Sequence, residues 1–441
     1  MPRTPHPFLP PHLIRHLAAS MPAAAETLLL DARFRTARAG HVPAVVPTLV
    51  AEPAYTVHDA EGTQDLPGRP VRSAGDPATG DVAADEAADG VAASLALLSE
   101  VFGRDSYDGA GARVLATVHF GHDYVNAFWD GAHLVFGDGD GELFERFTKP
   151  VDVIGHELAH GVTERTAGLV YQGQSGALNE SVSDVFAACL VQRLRDQTVD
   201  EADWLIGAGL FKPGVSARAL RDMRAPGTAY DDPRLGADPQ VGHLDDYVDT
   251  TDDNGGVHLN SGIPNRAFQL AAVAIGGRSW EGAGPIWFRA LTGDQVGPDT
   301  DFAGFAAATV AAAGEHADAV RGAWEQVGVG AAGSSGAPAP EGPPAPVDLP
   351  AARVRVRRSG GFVGQTVEAE VDLEADDDRA PELRTLLGRV GALPDGHAAP
   401  RPDGFRYDVE VDGRTVHLCE ADLSPDLRRI VDVVLRDGSG S

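Results

Sequence analysis

The spacing of hydrophobic and polar residues changes character along this chain. Residues 1–50 hold scattered apolar positions and one short helix that begins at Pro10-Pro11. From about residue 54 the pattern predicts turns and short strands, with strands over 114–118 and 134–136 and an amphipathic helix over 87–102. From Val151 onward helical spacing dominates. It predicts helices over 151–166, 176–195, 261–276, 284–292, 301–313 and 316–327.

A second pattern follows a stretch rich in Pro, Ala and Gly over 331–346. Such a composition cannot bury a core, and its prolines favour a semi-extended linker. Beyond it, the alternation of residues predicts a small α+β domain, with Asp412-Gly413 as a hairpin turn. Its strands are predicted over 353–357, 365–373, 405–411 and 415–419, and its helices over 381–390 and 424–435.

The chain of 441 residues is too long for one compact core. We expect five segments: a leader over 1–52, a β-rich lobe over 53–165, a helical lobe over 166–330, a linker over 331–351 and a last domain over 352–441.

Composition narrows the classes of function. The 65 acidic and 36 basic residues give a net charge of −29, which argues against binding to nucleic acid or an anionic membrane. The two distant cysteines, Cys189 and Cys419, argue against a disulfide framework. Prolines interrupt the N-terminus, so we expect no classical secretory signal, and either a cytoplasmic location or export by a non-classical route. A monomer is the expected state.

The first candidate chemistry is His-Glu-x-x-His at His156–His160. On a helix, residues four apart share a face, so both imidazoles can bind one Zn²⁺. Glu157 can reach a water in an open position of that ion and act as a general base. The motif occurs by accident in about two or three of a hundred such chains. Whether it forms a zinc site therefore depends on the residues around it.

A zinc site needs a third protein ligand, and Glu180 can supply it. It lies 20 residues beyond His160, which is enough for a turn and a returning helix. Asp184, one helical turn further, can accept the second ring proton of a ligand histidine. By itself, the Asn179-Glu180 pair would be a solvated helix face.

A third group of residues surrounds His258. Gly255 and Gly256 allow a close approach of the backbone, and Asp253 can orient the imidazole. A histidine held in this way can stabilise the oxyanion of a tetrahedral intermediate. A lone loop histidine is more often a surface residue, so the neighbouring motifs carry the interpretation.

Together these segments resemble the thermolysin family of zinc metalloendopeptidases. The resemblance covers about residues 54–330 and includes, in order, Asn126–Trp129, Gly137–Gly141, His156–His160, Gly176–Asp184 and Asp253–Gly262. It implies an α+β fold in which a β-rich N-terminal lobe and a helical C-terminal lobe flank the zinc helix. It also implies a neutral endopeptidase in which Glu157 activates a zinc-bound water and passes the proton to the leaving amine.

The resemblance assigns further roles position by position. The zinc ligands would be His156, His160 and Glu180, held in place by Asp184 and Asn179. The catalytic residues would be Glu157, His258, Tyr171 and Asp253, of which Tyr171 and His258 stabilise the oxyanion and Asp253 orients His258. Substrate would be bound by Asn126, Arg221, Phe144, Phe147, Val153 and Leu220. The last four would form an apolar pocket after the scissile bond, which implies cleavage before large hydrophobic residues.

One departure from the family concerns calcium. Members with a paired calcium site carry a glutamate where this chain has Val191. This argues against a two-calcium cluster. A single Ca²⁺ site near Asp152, with Asp200, Glu201 and Asp203 in its vicinity, stays open as an alternative.

The two flanks add expectations about regulation. Pro10-Pro11-His-Leu13 resembles the short propeptide of protealysin-like members, which implies a zymogen that cleaves its leader near residues 50–56. The alternative is a disordered tail. Arg353–Phe362 and Pro402–Tyr407 resemble emfourin, an inhibitor of thermolysin-like peptidases, which implies a tethered inhibitor; the alternative is an accessory binding module. A different class of function, a binding module that keeps the fold without turnover, also stays open.

Overall fold

The computed structural model describes residues 6–37, 54–330, 353–360, 367–373, 379–380, 383–384, 386, 405–411, 414–419 and 425–435. The chain forms two compact units, Met1–Ser334 and Ser335–Ser441. The predicted linker and residues 50–53 of the predicted cleavage region lie outside the described residues.

A six-stranded sheet forms the N-terminal lobe of the first unit. Its strands are β1 (His6–Pro7), β2 (Tyr55–Asp59), β3 (Arg69–Ser73), β4 (Val114–Val118), β5 (Ala127–Trp129) and β6 (His133–Phe136). The spatial order is β1-β5-β6-β4-β2-β3, with β2–β4 and β4–β6 parallel and the other pairs antiparallel. The edge strand β1 therefore comes from the leader, which continues into helices α1 (Pro11–Ala18) and α2 (Pro22–Ala37).

Helix α3 (Val82–Glu100) packs against this sheet and begins five residues earlier than predicted. The carboxylate of Asp81 caps it by accepting the backbone N–H groups of Ala83 and Ala84 at 2.9 and 3.2 Å. The first turns bury alanines, whose small side chains give little hydrophobic periodicity. The sequence pattern therefore showed only the later turns, where Val91 and Leu98 are buried as predicted.

The second lobe is helical, as predicted. Helix α4 (Val151–Glu164) precedes it. The helices of the second lobe are α5 (Gly173–Leu194), α6 (Asp253–Asn260), α7 (Gly262–Ile275), α8 (Ala283–Thr292), α9 (Phe302–Ala312) and α10 (Ala317–Gln326). Four short strands form two ribbons: β7 (Leu205–Ile206) with β8 (Arg221–Asp222), and β9 (Asp231–Asp232) with β10 (Gly236–Ala237).

Two of these helices are buried nearly all round and lie against each other. Helix α5 is buried from Ser175 to Gln192, and α4 from Asp152 to Thr163. Polar side chains on such helices must find hydrogen-bond partners or a metal, because burying an unpaired polar group costs several kcal/mol, about 2–7. The buried polar residues of α4 and α5 therefore mark the candidate functional site.

The second unit contains a four-stranded antiparallel sheet. Its strands are β11 (Arg353–Gly360), β12 (Val367–Asp372), β13 (Phe405–Val411) and β14 (Arg414–Cys419), in the order β12-β11-β13-β14. Helix α11 (Pro425–Leu435) and the sheet share a core that includes Val356, Val409 and Ile430. The predicted hairpin pairing of β13 with β14 is confirmed, although its turn lies outside the described residues, as does most of the predicted helix over 381–390.

The α+β class and the two-lobed architecture predicted for the first unit are confirmed, and so is the small separate α+β region. In the described part of the chain, no helix is both long and apolar enough to span a bilayer.

His119 links two segments of the N-terminal lobe through two carboxylates. Its ring nitrogens lie 2.9 Å from Asp81 at the start of α3 and 2.9 Å from Asp138 in the loop after β6. The hydrogen bond to Asp138 contributes most to raising the pKa of His119; burial opposes it, Asp81 adds to it, and the value reaches about 9.

We expect His119→Gln to destabilise the protein in a pH-dependent way. Because the folded pKa is raised above 6.5, the stabilisation is complete below that pH and is lost as the pH rises through about 9. The variant should lower the free energy of unfolding by about 1 kcal/mol near pH 6.5 and change it little near pH 10, as measured by urea unfolding. The exposed neighbour His122, changed to Gln, is the control. An equal effect of His119→Gln at both pH values would contradict this account.

Candidate active site

Three buried side chains from α4 and α5 converge on one point. His156 Nε2 lies 3.1 Å from His160 Nε2 and 3.4 Å from a carboxylate oxygen of Glu180, and His160 Nε2 lies 3.5 Å from the other oxygen. Tetrahedral ligands about 2.0–2.1 Å from a zinc ion would be separated by about 3.3–3.4 Å. Among the described residues, these three form the one group of His, Cys, Asp or Glu side chains spaced to hold a metal.

The far side of each imidazole shows which nitrogen carries the proton. His156 Nδ1 lies 2.9 Å from Asp184 Oδ1, and His160 Nδ1 lies 2.8 Å from Asn179 Oδ1. Asn179 donates its own amide hydrogen to the carbonyl of Leu169 at 3.3 Å, which turns its oxygen toward His160. Both Nδ1 atoms therefore donate outward, and the Nε2 lone pairs face the convergence point. This donor set fits Zn²⁺.

Asp184 is the most heavily bonded carboxylate of the site. Besides His156, it accepts two hydrogen bonds from the guanidinium of Arg221, at 2.7 and 2.8 Å, and one from Asn265 at 2.8 Å. Burial alone would raise the pKa of Asp184, but Arg221 and His156 hold it at about 2. The carboxylate is therefore ionised and fixes the ring of His156 and the side chain of Arg221 together.

Glu157 is fully buried, and neither of its carboxylate oxygens has a hydrogen-bond partner among the described residues. Burial, reinforced by the charge of Glu180, raises its pKa to about 8. A carboxyl group with a pKa near neutrality can both accept and return a proton at neutral pH. The neighbouring metal ligands make an unpaired carboxylate here a candidate general base.

His258 is held by an unusual turn of the backbone. Asp253, Asn254, Gly255 and Gly256 all have positive φ, between 51° and 82°, before α6 continues as a right-handed helix. This turn lets Asp253 bind His258 twice, accepting its backbone N–H at 2.9 Å and its ring Nδ1–H at 2.7 Å. The sequence predicted a loop here; the structure shows four left-handed residues that open a helix.

His258 and Tyr171 approach the metal ligands from the other side. Tyr171 Oη lies 3.4 Å from His258 Nε2 and donates a short hydrogen bond to Glu180. Burial lowers the pKa of His258, but the carboxylates of Asp253 and Glu180 together raise it by more, to about 9. The imidazole is therefore cationic at neutral pH. The structure thus brings together the nine residues predicted for catalysis, for the metal and for its support. Eight of them are linked by close polar contacts, and Glu157 is placed by its burial and its position on α4.

The leader occupies the cleft beside these residues. Strand β1 pairs with β5, and beyond it Phe8 donates its N–H to the carbonyl of Ala127 at 2.9 Å. Leu9 donates its N–H to Asn126 Oδ1 at 2.9 Å, and Phe8 accepts a hydrogen bond from Arg221 at 3.3 Å. The two predicted binders of a substrate backbone, Asn126 and Arg221, therefore both bind the backbone of the leader.

The Pro7–Phe8 peptide lies next to His258, the predicted catalytic histidine. The carbonyl oxygen of Pro7 is 3.0 Å from His258 Nε2. The ring of Phe8 is fully buried, edge-on to His156 at 5.1 Å between centroids, with the Arg221 guanidinium 4.7 Å from its centre.

The predicted pocket residues share the buried core that contains Phe8: Phe144, Phe147, Val153 and Leu220. A side chain on Gly207 would come within 3.1 Å of Leu220 and 3.5 Å of Phe8, so that glycine leaves room for the ring.

Helix α2 of the leader binds the segment that precedes β5. Thr27 accepts the backbone N–H of Val125 at 3.0 Å. One turn later, Asp31 accepts hydrogen bonds from Tyr124 at 2.5 Å and from the amide of Asn126 at 3.2 Å. Sequence reasoning missed Phe8, Asp31 and Asn265. The one sequence signal available for these contacts was the apolar pair Phe8-Leu9 next to Pro10-Pro11. Phe8 is a large hydrophobic residue, as expected after the scissile bond of a substrate.

Asp152, the residue on which a calcium site would depend, is buried and bonded to backbone. Its carboxylate accepts the N–H groups of Gly207 at 2.8 Å and of Val153 at 3.0 Å. Burial raises its pKa to about 6. Of the nearby acids, Glu201 accepts hydrogen bonds from Thr198 and Asp203 pairs with Arg195. The calcium site stays a prediction of the sequence.

Fold and site together define a metallopeptidase with a His-His-Glu metal site of the kind that binds zinc. Comparison with known proteins identifies the family. The model of the thermolysin metallopeptidase catalytic domain matches residues 52–164, and that of the thermolysin metallopeptidase alpha-helical domain matches residues 167–329. The emfourin model matches residues 356–435.

Individual relatives support the same family. An extracellular metalloprotease of Pectobacterium carotovorum is 52% identical over 279 residues, which cover 62% of this chain and 80% of the relative. Protease PrtS of a Photorhabdus strain is 47% identical over 281 residues, covering 62% and 76%. The solved precursor of protealysin, a metalloproteinase from Serratia proteamaculans, is 47% identical, with a TM-score of 0.67 and coverage of 74% of this chain and 99% of the other.

The chain belongs to the thermolysin family and is a metalloendopeptidase, an enzyme that hydrolyses peptide bonds.

We expect Asp184→Asn to weaken zinc binding by about 10- to 100-fold, because His156 loses the anion that fixes its ring and tautomer. Competition with a chelator at equilibrium measures this affinity. The control is Asp222→Asn, next to Arg221 in sequence, whose carboxylate bonds Arg218 and the backbone N–H of Arg224 instead. Equal zinc affinities in the parent and both variants would contradict the role of Asp184.

Proposed function

We propose that this protein is a zinc-dependent neutral endopeptidase that cleaves on the N-terminal side of large hydrophobic residues and is made as a self-inhibited zymogen. The observation that carries the proposal is the position of the leader in the cleft. Its Pro7–Phe8 peptide lies against His258, and the backbone on both sides of Phe8 bonds the predicted substrate binders. A substrate in this register would place a large hydrophobic side chain where Phe8 lies.

Different residues of the site bind the substrate backbone and stabilise the tetrahedral intermediate. Arg221 and Asn126 hold the backbone after the scissile bond, which fixes the reacting carbonyl next to His258. His258, cationic and oriented by Asp253, donates to that carbonyl oxygen and stabilises the negative charge it gains in the tetrahedral intermediate. Tyr171, 3.4 Å from His258 Nε2, supports the same position.

Proton transfer falls to Glu157. Its carboxylate takes a proton from the attacking water and gives it to the leaving amine, which a group with a pKa near 8 can do in both directions. Zn²⁺ held by His156, His160 and Glu180 would polarise the reacting carbonyl and acidify water. Burial of these residues excludes bulk water and strengthens each electrostatic contact.

The same contacts explain how the leader inhibits. It satisfies Arg221, Asn126 and His258 with its own backbone, so that a substrate must displace it. Phe8 is fully buried and its ring contacts the candidate metal ligand His156. The leader is tied to the enzyme by the chain until its cleavage, which raises its effective concentration.

We expect a synthetic leader peptide with Phe8→Ala to inhibit the processed enzyme about 100-fold less strongly than the parent peptide, because truncation of a fully buried phenylalanine costs about 3 kcal/mol or more. Inhibition constants against hydrolysis of a fluorogenic peptide with Phe or Leu after the scissile bond measure the effect. The control is Leu29→Ala, which truncates an apolar leader residue that is 65% exposed. Equal inhibition constants for the parent, Phe8→Ala and Leu29→Ala peptides would contradict the proposal that Phe8 occupies the hydrophobic pocket.

We propose further that the emfourin-like unit restrains the processed enzyme. The match to the emfourin model over residues 356–435 supports this role. The Pro-rich composition of the linker favours a semi-extended tether, which would hold such a domain at a high effective concentration.

Truncation after Gly330 tests the role of the C-terminal unit. In processed enzyme, we expect kcat/KM to rise at least about tenfold in the shorter chain, since the tether maintains a high effective inhibitor concentration. Both forms should lose activity to a zinc chelator. Equal kcat/KM in the two forms would instead indicate an accessory module.

A further inference from the structure

His12, in helix α1 of the leader, is half-buried, with its ring nitrogens turned to the interior. Both of its ring nitrogens are inaccessible to solvent and have no hydrogen-bond partner among the residues that the structure describes. Its neighbours Arg15 and His16, on the same helix, are exposed. A neutral imidazole tolerates such a site at some cost, whereas an imidazolium, with two N–H donors and a positive charge, does so poorly.

The imidazole lines a small cavity between the leader and the cleft. The cavity has a volume of about 10 Å³, close to the room that one water molecule needs. Its other polar walls come from Arg221, Tyr230, Asp238, Gln240 and His258. The amide oxygen of Gln240, also without a partner in the described part of the chain, is a neutral acceptor and compensates a cation less than a carboxylate would.

Among the described residues, the charged groups around His12 leave it without an ion-pair partner of its own. Asp238 accepts the backbone N–H groups of Gln240 at 3.0 Å and Ala229 at 3.1 Å. Asp253 is engaged by the ring and backbone of His258. Burial is the largest influence and lowers the pKa of His12; Asp253 raises it in part, His258 and Arg15 lower it again, and the value falls to about 4. Arg221 adds a cation to the cavity wall.

We propose that His12 makes the leader an acid-sensitive plug: the leader leaves the cleft when this buried imidazole takes up a proton. The proposal rests on the proposed function, in which the leader inhibits by occupying the cleft. Protonation would place a further buried cation beside Arg221, and release of α1 into water removes that conflict. Among the described residues, the ring nitrogens of His12 bond neither the Pro7–Phe8 peptide nor the candidate metal ligands. His12 therefore regulates the occupancy of the cleft without taking part in the reaction.

The sign and range of the effect follow from the two states of the leader. The pKa of His12 is about 4 in the docked leader and returns toward 6.5 when the leader is released. Docking is therefore strongest above pH 6.5 and weakens as the pH falls toward 4. Between pH 7.5 and 5.0, the equilibrium constant for release should rise about 30-fold from this group alone.

Hydrogen–deuterium exchange of the full, zinc-loaded chain tests the proposal. The Glu157→Gln substitution keeps the leader from being cleaved and removes the titration of that carboxyl group. Exchange of the α1 amides, corrected for the intrinsic effect of pH, reports leader opening at pH 7.5 and 5.0. In this background the parent is compared with His12→Gln, His12→Leu and, as the matched control on the same helix, the exposed His16→Leu.

We expect opening to increase about 30-fold at pH 5.0 in the parent and in His16→Leu, and by less than about threefold in the two His12 variants. An unchanged opening in the parent, or an equal rise in the His12 variants, would overturn the proposal. If the leader is already open at pH 7.5 in both His12 variants, the rise in opening between pH 7.5 and 5.0 in the parent and in His16→Leu still tests the proposal. Unprotected α1 amides in the parent at pH 7.5 would instead count against the proposed function, because the leader would not be docked.

Discussion

The buried carboxylate of Asp184 is the contact on which the rest of this site depends. It holds the ring of His156, a predicted zinc ligand, and two nitrogens of Arg221, Nε and Nη2. The third nitrogen of Arg221 binds the backbone of the leader. A charge in the interior is tolerated only when it is paired and fully hydrogen-bonded, and Asn265 completes that set. One anion therefore fixes the distance between the candidate metal site and the guanidinium that binds the leader.

In the proposed zymogen, the leader would inhibit by using this arrangement rather than by distorting it. Its backbone bonds Asn126 and Arg221, the predicted substrate binders, and its phenylalanine contacts both the candidate metal ligand His156 and Arg221. Under that proposal, binding to a preorganised site would lose little free energy to reorganisation, and without a covalent bond it could be reversed. A titratable group at the edge of the contact, such as His12, would then change the occupancy of the cleft without changing the catalytic residues.

Much of this site could be predicted from sequence because its central residues lie on two helices with fixed spacing. His156, Glu157 and His160 share α4, and Glu180 and Asp184 share α5, so helical geometry alone brings them together. Asn265, the left-handed turn at Asp253–Gly256 and the contacts of Phe8 and Asp31 depend on tertiary packing between distant segments, which no local spacing encodes. The early start of α3 was missed for a related reason, since buried alanines carry almost no hydrophobic signal.

The most direct test of the account is an anomalous difference map, recorded at the zinc absorption edge, from crystals of the full chain with Glu157→Gln. We expect a single strong peak about 2.0–2.3 Å from His156 Nε2, His160 Nε2 and Glu180, with the Pro7–Phe8 peptide of the leader beside His258. A zinc peak elsewhere, or a zinc site from which the leader is absent, would contradict the claim that metal and leader meet at one preorganised site.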